Sequence, residues 1–266
     1  MSKLFNKSIS IIGGAGHVGF PLGLVFSSKN FHVTLVDKNQ KNINKINSGK
    51  VPFLEEKSKP LLTASLKKKK IIATNNLYEV KKTKFIIVCI GTPITNNLNP
   101  SLKPFINFFK HLKPFLRKDH IIIIRSSIYP GICDKIYKLI SNKCKNISYC
   151  PERIVQGKSI TELPKLSQLV SGKNKKSISE SGKLFKKIWK KIIFTNVIEA
   201  ELVKLFSNAY RYVNFSIANQ FYMICKSHDL NFEKIRNIMM DGYERNTNIP
   251  MSGFTAGPCL LKDSMQ

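Results

Sequence analysis

The sequence predicts an α/β protein in which a doubly wound parallel sheet is followed by a helical domain. Three observations predict this fold. Short apolar runs alternate with segments of helical period as far as residue 195. A glycine-rich turn joins the first apolar run to the first helical segment. One uninterrupted helical pattern of about 30 residues then begins after Asn196. We therefore expect a first domain over residues 1–195 and a second domain over residues 196–266.

The strands of the first domain are predicted from short runs that are apolar on both faces. Such runs are typical of a parallel sheet whose two faces are covered by helices. Four strong runs span residues 8–12, 32–37, 84–90 and 120–127. Two weaker runs, at 146–150 and 192–195, can extend the same sheet.

Helical patterns fill the spaces between these strands. They cover residues 17–29, 39–48, 101–116 and 131–141. The long pattern over 197–228 is apolar on more than one face, because its apolar residues recur at three- and four-residue steps. We expect this helix to be buried in a larger domain or against a second subunit. A shorter helix at 231–240 precedes a loop rich in Asn, Pro and Gly.

The composition is ordinary in its apolar fraction and unusual in its charge. Hydrophobic residues make up 42% of the 266 residues, and the formal net charge is +28. The lysines are spread along the chain, without an arginine stripe or a base-stacking aromatic pattern, so we expect solvated faces and no specific nucleic-acid partner. A nucleic-acid surface and the attraction of anionic ligands are the alternatives.

Cysteine spacing and hydropathy bear on the compartment. The six cysteines contain no C-x-x-C pair and no metal-ligand spacing, which predicts a reduced, cytoplasmic protein without a structural metal. The N-terminal apolar run enters the glycine turn instead of a cleavage site. No apolar stretch approaches the roughly 20 residues of a membrane helix, so we expect a soluble protein with no membrane partner.

The glycine turn has the spacing of a dinucleotide site. Gly14, Gly16 and Gly19 follow a strand and open a helix, with His17 and Val18 between them. The first glycine permits a tight turn, the second lets the backbone approach a pyrophosphate, and the third lets helix and strand pack closely. The free N–H groups of the helix favour phosphate. The pattern predicts a Rossmann-type site, and a glycine turn without a ligand is the alternative.

Asp37 identifies the cofactor that this turn would hold. It ends the second predicted strand, where a carboxylate can accept both ribose hydroxyls. An acid at this position repels the 2′-phosphate of NADP, so we expect NAD. Thr92 and Ser127 stand at the carboxyl ends of two further strands, the edge at which ligands bind. For each hydroxyl, a strand-end cap and a cofactor contact are equally compatible with the sequence.

Six motifs give the chain a family resemblance. They are "GGAGHVGFPLG", "IGTP", "SSIYPG", "YCPERIVQGKSITEL", "EAELVKLFSNAYRYVNFSIANQ" and "GFTAGPCLLKD". Their order resembles that of the UDP-glucose/GDP-mannose dehydrogenase family over essentially the whole chain. The last motif looks closest to UDP-N-acetylmannosamine and UDP-N-acetylglucosamine 6-dehydrogenases, with UDP-glucose also possible. The resemblance implies a role in polysaccharide biosynthesis, through oxidation of the C6 alcohol of a UDP-sugar to a uronate in two NAD-dependent steps.

The resemblance also implies the catalytic residues. Cys259 would attack the intermediate aldehyde, so that the second hydride leaves from a thiohemiacetal and a thioester remains for hydrolysis. Lys204 and Asn208, four residues apart on one helix face, would stabilise an alkoxide or oxyanion. Glu152 would activate or order water, with a loop salt bridge as the alternative. Asp263 would take part in the same proton transfers.

Three more positions are interpreted through the resemblance. Lys262 would lie near the cofactor, whereas Arg245 and Asn248 would bind the sugar nucleotide. Two positions depart from the pattern of many relatives. Asn42 replaces a basic residue that follows the ribose acid, and Gln156 replaces a glutamate near the nicotinamide. Each departure weakens a contact without removing the chemistry.

Family members continue beyond the cysteine loop with the rest of the central domain and a second Rossmann-like domain. The resemblance therefore implies a truncated product with an incomplete helical dimerisation domain, or one half of a split enzyme whose C-terminal half is encoded separately. It also implies a homodimer through the helix at 197–228. A degenerate relative that binds NAD without turnover is the main alternative. A different NAD-dependent hydroxyacid or acyl dehydrogenase would have no use for Cys259.

Overall fold

The computed structural model describes residues 5–92, 101–154, 156–254, 260, 263 and 264. The described residues form two compact units. The first unit contains residues 5–92 and 101–202, and the second unit contains the described residues from 203 onward. Among the described residues, no helix combines the length and the apolar character that crossing a bilayer requires.

The first unit is built on one eight-stranded sheet with the strand order β3-β2-β1-β4-β5-β6-β7-β8. Strands β1 to β6 run parallel, and β7 pairs antiparallel with β6 and parallel with β8. The fold class predicted from sequence is confirmed, with two reversed strands at one end. The strands are β1 Ser8–Ile12, β2 His32–Val36, β3 Ile71–Thr74, β4 Phe85–Val88, β5 Ile121–Ile124, β6 Ile147–Tyr149, β7 Ser167–Gly172 and β8 Lys191–Phe194.

Helices cover both faces of this sheet. Successive strand residues enter two different apolar clusters: Phe85 and Ile87 of β4 belong to one, and Ile86 and Val88 to the other. Because side chains alternate along a strand, the two clusters lie on opposite faces. The helices are α1 Gly19–Ser28, α2 Gln40–Asn47, α3 Ser58–Lys67, α4 Lys103–Leu112, α5 Ile132–Ile140, α6 Ser159–Glu162, α7 Lys175–Phe185, α8 Val197–Ser227 and α9 Phe232–Met240.

The order of the strands positions the candidate site. The chain runs outward from β1 through β2 to β3 and then returns to β4 on the other side of β1. In open α/β sheets, ligands bind beyond the carboxyl ends of strands at such a reversal. The turn after β1 therefore lies where a cofactor is expected.

The edge strand β3 is protected by a side chain. The Asn47 amide donates to the carbonyl of Ala73 at 2.8 Å, and its oxygen accepts from the Ala73 N–H at 2.9 Å. Asn47 thus satisfies the backbone groups that a further strand would otherwise pair with. The edge of the sheet is closed at this residue.

The second unit consists of the larger part of α8, the helix α9 and the loop that follows. Ala218 and Cys225 of α8 pack with Phe232 and Ile235 of α9. Many other apolar side chains of α8 are exposed within a single chain: Val203, Phe206, Tyr210, Val213, Ile217, Phe221, Tyr222, Met223 and Ile224. Burial of this helix against a second subunit stays a prediction.

Candidate active site

The turn after β1 is shaped by glycines with two different functions. A Cβ on Gly14 would lie 2.6 Å from the carbonyl oxygen of Ile11, and one on Gly19 would lie 2.3 Å from that of Gly13. A side chain at Gly14 or Gly19 would therefore clash with the backbone, because strand and helix pack closely at these two residues. A Cβ on Gly16 would meet only the Gly13 oxygen, at 3.3 Å, so this residue instead faces open space.

The helix that follows is open to an anion at its N-terminus. Helix α1 has Val18 at its N-cap, which makes no side-chain capping bond, and its first turn contains no acid. The Phe20 N–H donates to the carbonyl of Gly16 at 3.0 Å and Pro21 has no N–H, so the positive end of the helix dipole is what this helix offers to phosphate oxygens. Together with the space beside Gly16, these features fit the diphosphate of a dinucleotide.

Asp37 is held against this turn. Its Oδ2 accepts from the Ala15 N–H at 2.9 Å, and its Oδ1 accepts from the Asn39 N–H at 3.0 Å. Each carboxylate oxygen keeps a further lone pair for a ribose hydroxyl. Asn42 donates from its amide to the carbonyl of Ala15 at 3.2 Å. Asn42, the departure noted in the sequence, thus bonds to the carbonyl of the same turn residue whose N–H bonds to Asp37.

The carboxyl ends of β4 and β5 are joined by one hydroxyl. Thr92 is buried, and its hydroxyl donates to the carbonyl of Ser127 at 2.6 Å. The two predicted strand-end residues therefore lie together. Glu201 supports the same loop, because its carboxylate accepts from the N–H groups of Gly131 at 2.8 Å and Cys133 at 3.1 Å, at the start of α5.

Glu152 forms a buried ion pair, the alternative that the sequence left open, and its partner Arg125 was not among the predicted site residues. Its Oε2 pairs with the guanidinium of Arg125, and its Oε1 accepts from the N–H groups of Arg153 at 2.8 Å and Ile154 at 3.2 Å. Arg125 is fully buried and also donates to Gln168 at 2.9 Å. The available signal was a lone charged residue directly after the apolar run IIII.

Aromatic rings complete the surroundings of Arg125. The guanidinium lies 5.1 Å from the ring centroid of Phe185 and 5.4 Å from that of Trp189. A cation over a ring face is attracted by the ring quadrupole. The arginine is thus held from several sides, and it fixes the position of the Glu152 carboxylate.

The thiols near the sheet are poor nucleophiles. Burial raises the pKa of Cys89 to about 12 and that of Cys150 to about 12, although the guanidinium of Arg125 lowers both. Burial also raises the pKa of Cys144 to about 11, and it raises the pKa of Cys133. Because the thiolate is the reactive form, these four cysteines are not candidates for covalent catalysis.

The second unit contains a separate polar cluster on α8. Lys204 and Asn208 lie one turn apart, and both face Asp263. The Asn208 amide donates to Oδ2 of Asp263 at 2.6 Å, and the Lys204 Nζ lies 3.9 Å from the same oxygen. The Asp263 side chain is 1% exposed and that of Lys204 is 12% exposed. We call these three residues the α8 polar group.

Arg245 and Asn248 line a single pocket in the second unit. Its walls also include Tyr210, Asn214 and Phe221 of α8. The Arg245 guanidinium donates to the Tyr243 hydroxyl at 3.4 Å. An arginine, several amides and aromatic rings can bind a phosphorylated, hydroxyl-rich ligand.

Two of the predicted site residues, Cys259 and Lys262, lie outside the described residues. Gln156 is described and is exposed at a loop. Three residues were not predicted from the sequence: Arg125, Glu201 and Glu55. The Glu55 carboxylate accepts hydrogen bonds from the N–H groups of Gly157 and Ile160. Each of the three is a buried charged residue, a type that rarely leaves the surface without a partner.

The mostly parallel sheet, the space beside Gly16 and the acid held against the turn fit a dinucleotide-binding protein. Comparison with known proteins makes this specific. Residues 7–193 match the NAD binding domain of the UDP-glucose/GDP-mannose dehydrogenase family, and residues 198–266 match its central domain. The chain belongs to this family, whose members are NAD-dependent oxidoreductases, and NAD is its cofactor.

Individual relatives agree with this assignment. The UDP-N-acetyl-D-mannosamine dehydrogenase of Methanococcus maripaludis is 31% identical over 82% of this chain and 51% of its own length. The structure of the enzyme of that name from Pyrococcus horikoshii has a TM-score of 0.89 at 27% identity, over 97% of this chain and 63% of that one. The UDP-glucose dehydrogenase of Pyrobaculum islandicum, with a TM-score of 0.85 at 18% identity, shares the fold. The chain spans about half to two thirds of these relatives.

Proposed function

We propose that this chain takes part in the two-step oxidation of the C6 alcohol of a UDP-sugar to a carboxylate. The observation that carries the proposal is the α8 polar group, since an ammonium, an amide and a carboxylate converge within the matched central domain. Both domain matches and the open dinucleotide turn support it. When bound, NAD supplies the hydride acceptor for each oxidation.

In the first oxidation the C6 alcohol loses a proton and a hydride and becomes an aldehyde. The negative charge that develops on the oxygen needs donors that are already oriented. Lys204 and Asn208 can supply them, because their donors are held on one face of α8 by Asp263. Oriented donors in a site that excludes water stabilise such charge most effectively.

In the second oxidation the Cys259 thiolate adds to the aldehyde carbon and forms a C–S bond. The resulting tetrahedral carbon loses a hydride and becomes a thioester. One water molecule then hydrolyses the thioester, which releases the carboxylate and restores the thiol. The whole reaction transfers four electrons and consumes two NAD and one water per sugar. Asp263 takes part in the proton transfers.

For Glu152 the contacts favour one of the two roles that the sequence allows. Both carboxylate oxygens are engaged, one by Arg125 and the other by two backbone N–H groups. These contacts fix the carboxylate in position. We propose that Glu152 anchors the loop that follows β6, where it can order a water molecule.

The substrate is proposed from the second-unit pocket and from the relatives. Arg245 and Asn248 provide a cation and an amide for the diphosphate and the sugar. Relatives from several organisms are named UDP-N-acetyl-D-mannosamine dehydrogenase. We propose that UDP-N-acetyl-D-mannosamine is the first substrate to test. The net charge of +28 would attract such an anion.

The assembly is proposed from the exposed face of α8. Val203, Phe206, Tyr210, Val213 and Ile217 follow one another at alternating steps of three and four residues, and all five are exposed in one chain. We call them the α8 stripe. Such a stripe is suited to pack against its own copy in a symmetric dimer.

The compartment follows from the proposed nucleophile. Cys259 must remain a free thiol between turnovers, and thiols stay reduced in the cytosol. We therefore propose a cytoplasmic protein. The five cysteines within the described residues are all free, which is compatible with a reducing compartment.

The experiment measures NADH formation from UDP-N-acetyl-D-mannosamine, for the chain alone and with the remaining C-terminal part of a family member. We expect two NADH per sugar, and complete loss in Cys259→Ser. Cys89→Ser is the matched control and should remain active, because that thiol is held protonated by burial. Lys204→Ala should lower kcat by about 100-fold or more. A folded wild-type chain that remained silent in both settings, with each candidate UDP-sugar, would contradict the proposal.

A second candidate is a relative that binds NAD without turnover. The sequence leaves this candidate open as the main alternative. Titration calorimetry distinguishes the two candidates. Affinity for NAD without affinity for any UDP-sugar would support the inactive relative, whereas affinity for both supports the dehydrogenase.

A further inference from the structure

The segment between α2 and α3 contacts two parts of the cofactor domain that are far apart in sequence. Phe53 lies against the glycine turn, with its ring centroid 3.9 Å from that of His17 and 5.7 Å from that of Phe20. Two residues later, Glu55 is buried against the loop that follows Glu152. We call residues 53–55 the bridge.

The Glu55 carboxylate accepts hydrogen bonds from three groups, one at the end of that loop and two in the first turn of α6. Its Oε2 accepts from the Gly157 N–H at 3.2 Å and from the Ser159 hydroxyl at 3.1 Å. Its Oε1 accepts from the Ile160 N–H at 3.1 Å. Hydrogen bonds to a carboxylate are stronger than those between neutral groups, and a buried one is costly to break. The position of residues 157–160 is therefore tied to Glu55.

The bridge is itself held in place. The carbonyl of Glu55 accepts from the Ser58 hydroxyl at 2.7 Å, and the Glu56 N–H donates to the carbonyl of Gly157 at 2.9 Å. Only Leu54, between the two anchors, is exposed, with 89% of its surface accessible. A short segment fixed at both ends transmits a displacement of one anchor to the other.

We propose that Phe53 and Glu55 are positioning residues, which couple occupation of the dinucleotide turn to the order of residues 157–160, where the loop enters α6. A diphosphate bound to the turn restrains the backbone at His17, and with it the ring of Phe53. The restraint then reaches the loop through Glu55. This inference depends on the cofactor domain alone and does not depend on the proposed oxidation.

The test uses the full chain with ADP as the probe, since ADP contains the adenosine and diphosphate that the turn would hold. Hydrogen exchange followed by mass spectrometry reports on the peptide that contains the Gly157 and Ile160 amides. In the wild type we expect saturating ADP to slow this exchange several-fold. In Glu55→Gln, whose NH₂ group faces the donors of the loop, we expect ADP to bind within about twofold of the wild-type affinity without slowing the exchange.

Two more variants make the test specific. Phe53→Leu keeps an apolar side chain and loses the ring that lies against His17, so it should also lose the response, and it substitutes for Glu55→Gln should that variant not fold. Glu56→Gln is the matched control, because only the backbone of this exposed residue bonds to the loop. It should respond like the wild type.

Three outcomes would overturn the inference. The first is a wild-type loop whose exchange does not change when ADP is bound. The second is an unchanged response in both bridge variants. The third is a tenfold loss of ADP affinity in both variants, which would make the bridge part of the turn itself. None of these measurements uses a sugar nucleotide, so failure of the proposed oxidation would be recognised separately.

Discussion

At the scale of single residues, the backbone is strained at Lys57, and the buried ion pair of Arg125 and Glu152 is costly to break. Lys57 adopts a φ of +61°, a left-handed conformation that disfavours residues with a Cβ. It lies directly before α3, so the strain is local to the start of that helix.

Replacing Lys57 with Gly should therefore stabilise the chain. We expect a gain of about 0.5–1 kcal/mol in the free energy of unfolding, since relief of the strain exceeds the added entropy of the unfolded chain. Urea denaturation measures it. Lys68→Gly is the control at the other end of α3, where φ is −83° and no strain is present. It should leave stability unchanged or lower it, and equal effects of the two changes would contradict this account.

Removing either partner of the Arg125–Glu152 pair should destabilise the first unit strongly. Arg125→Met leaves the Glu152 carboxylate without its cation, and Glu152→Gln leaves the buried Arg125 guanidinium without its anion. Each change should cost about 3–5 kcal/mol of the free energy of unfolding. The double variant should lose less than the sum of the two, as measured by urea unfolding of all four chains. Glu79→Gln breaks the surface pair with Lys82 and should cost below about 1 kcal/mol. Additive losses would show that the two buried residues do not act together.

At the scale of elements, the start of α8 is linked to the start of α5 by Glu201. Burial raises the pKa of this carboxyl, while the N–H groups of Gly131 and Cys133 lower it less. The folded state therefore favours the protonated carboxyl. The stability that Glu201 contributes is fully present below its unfolded-state pKa of 4.5 and is lost as the pH rises through the raised folded-state pKa.

The change Glu201→Gln removes this titration. The wild type should therefore lose stability relative to the variant as the pH rises from about 4 to about 7. Urea midpoints of both chains at the two pH values measure the difference. Glu199→Gln is an informative control, because a hydrogen bond from Thr195 lowers the pKa of Glu199 and the difference should change in the opposite direction. A wild-type advantage over Glu201→Gln that did not vary with pH would refute the assignment.

Elements were predictable from sequence where the local pattern was strong. Strand β1 and the helices α1 and α8 follow from apolar runs and helical period, because burial on one or both faces leaves a direct mark on the residues. Strand β7 was missed because its buried positions include Gln168 and Ser171. Polar residues are tolerated there only because the tertiary structure supplies partners, such as the Tyr149 carbonyl for the Ser171 hydroxyl.

At the scale of the whole molecule, the α8 stripe determines the expected assembly. Val213→Lys introduces a charge into the proposed dimer seam, where burial would be costly. We expect the dimer of the wild type to become a monomer, as measured by analytical ultracentrifugation. Ser216→Lys is the matched control on the same helix: this exposed residue lies outside the stripe, about 60° around the helix axis from Val213, and the change should leave the dimer intact. A wild-type chain that sediments as a monomer at all concentrations would remove the dimer from the proposal.

The family, the cofactor and the candidate site residues could be inferred from the amino-acid sequence. The glycine spacing, the strand-end acid and the order of the motifs are local signals, and each is written in a few consecutive residues. Which side chains meet could be seen only in the folded chain. The pairing of Arg125 with Glu152, the convergence on Asp263 and the three donors to Glu55 join residues far apart in the chain. Such contacts follow from packing, because a buried charge is stable only where the fold brings its partner.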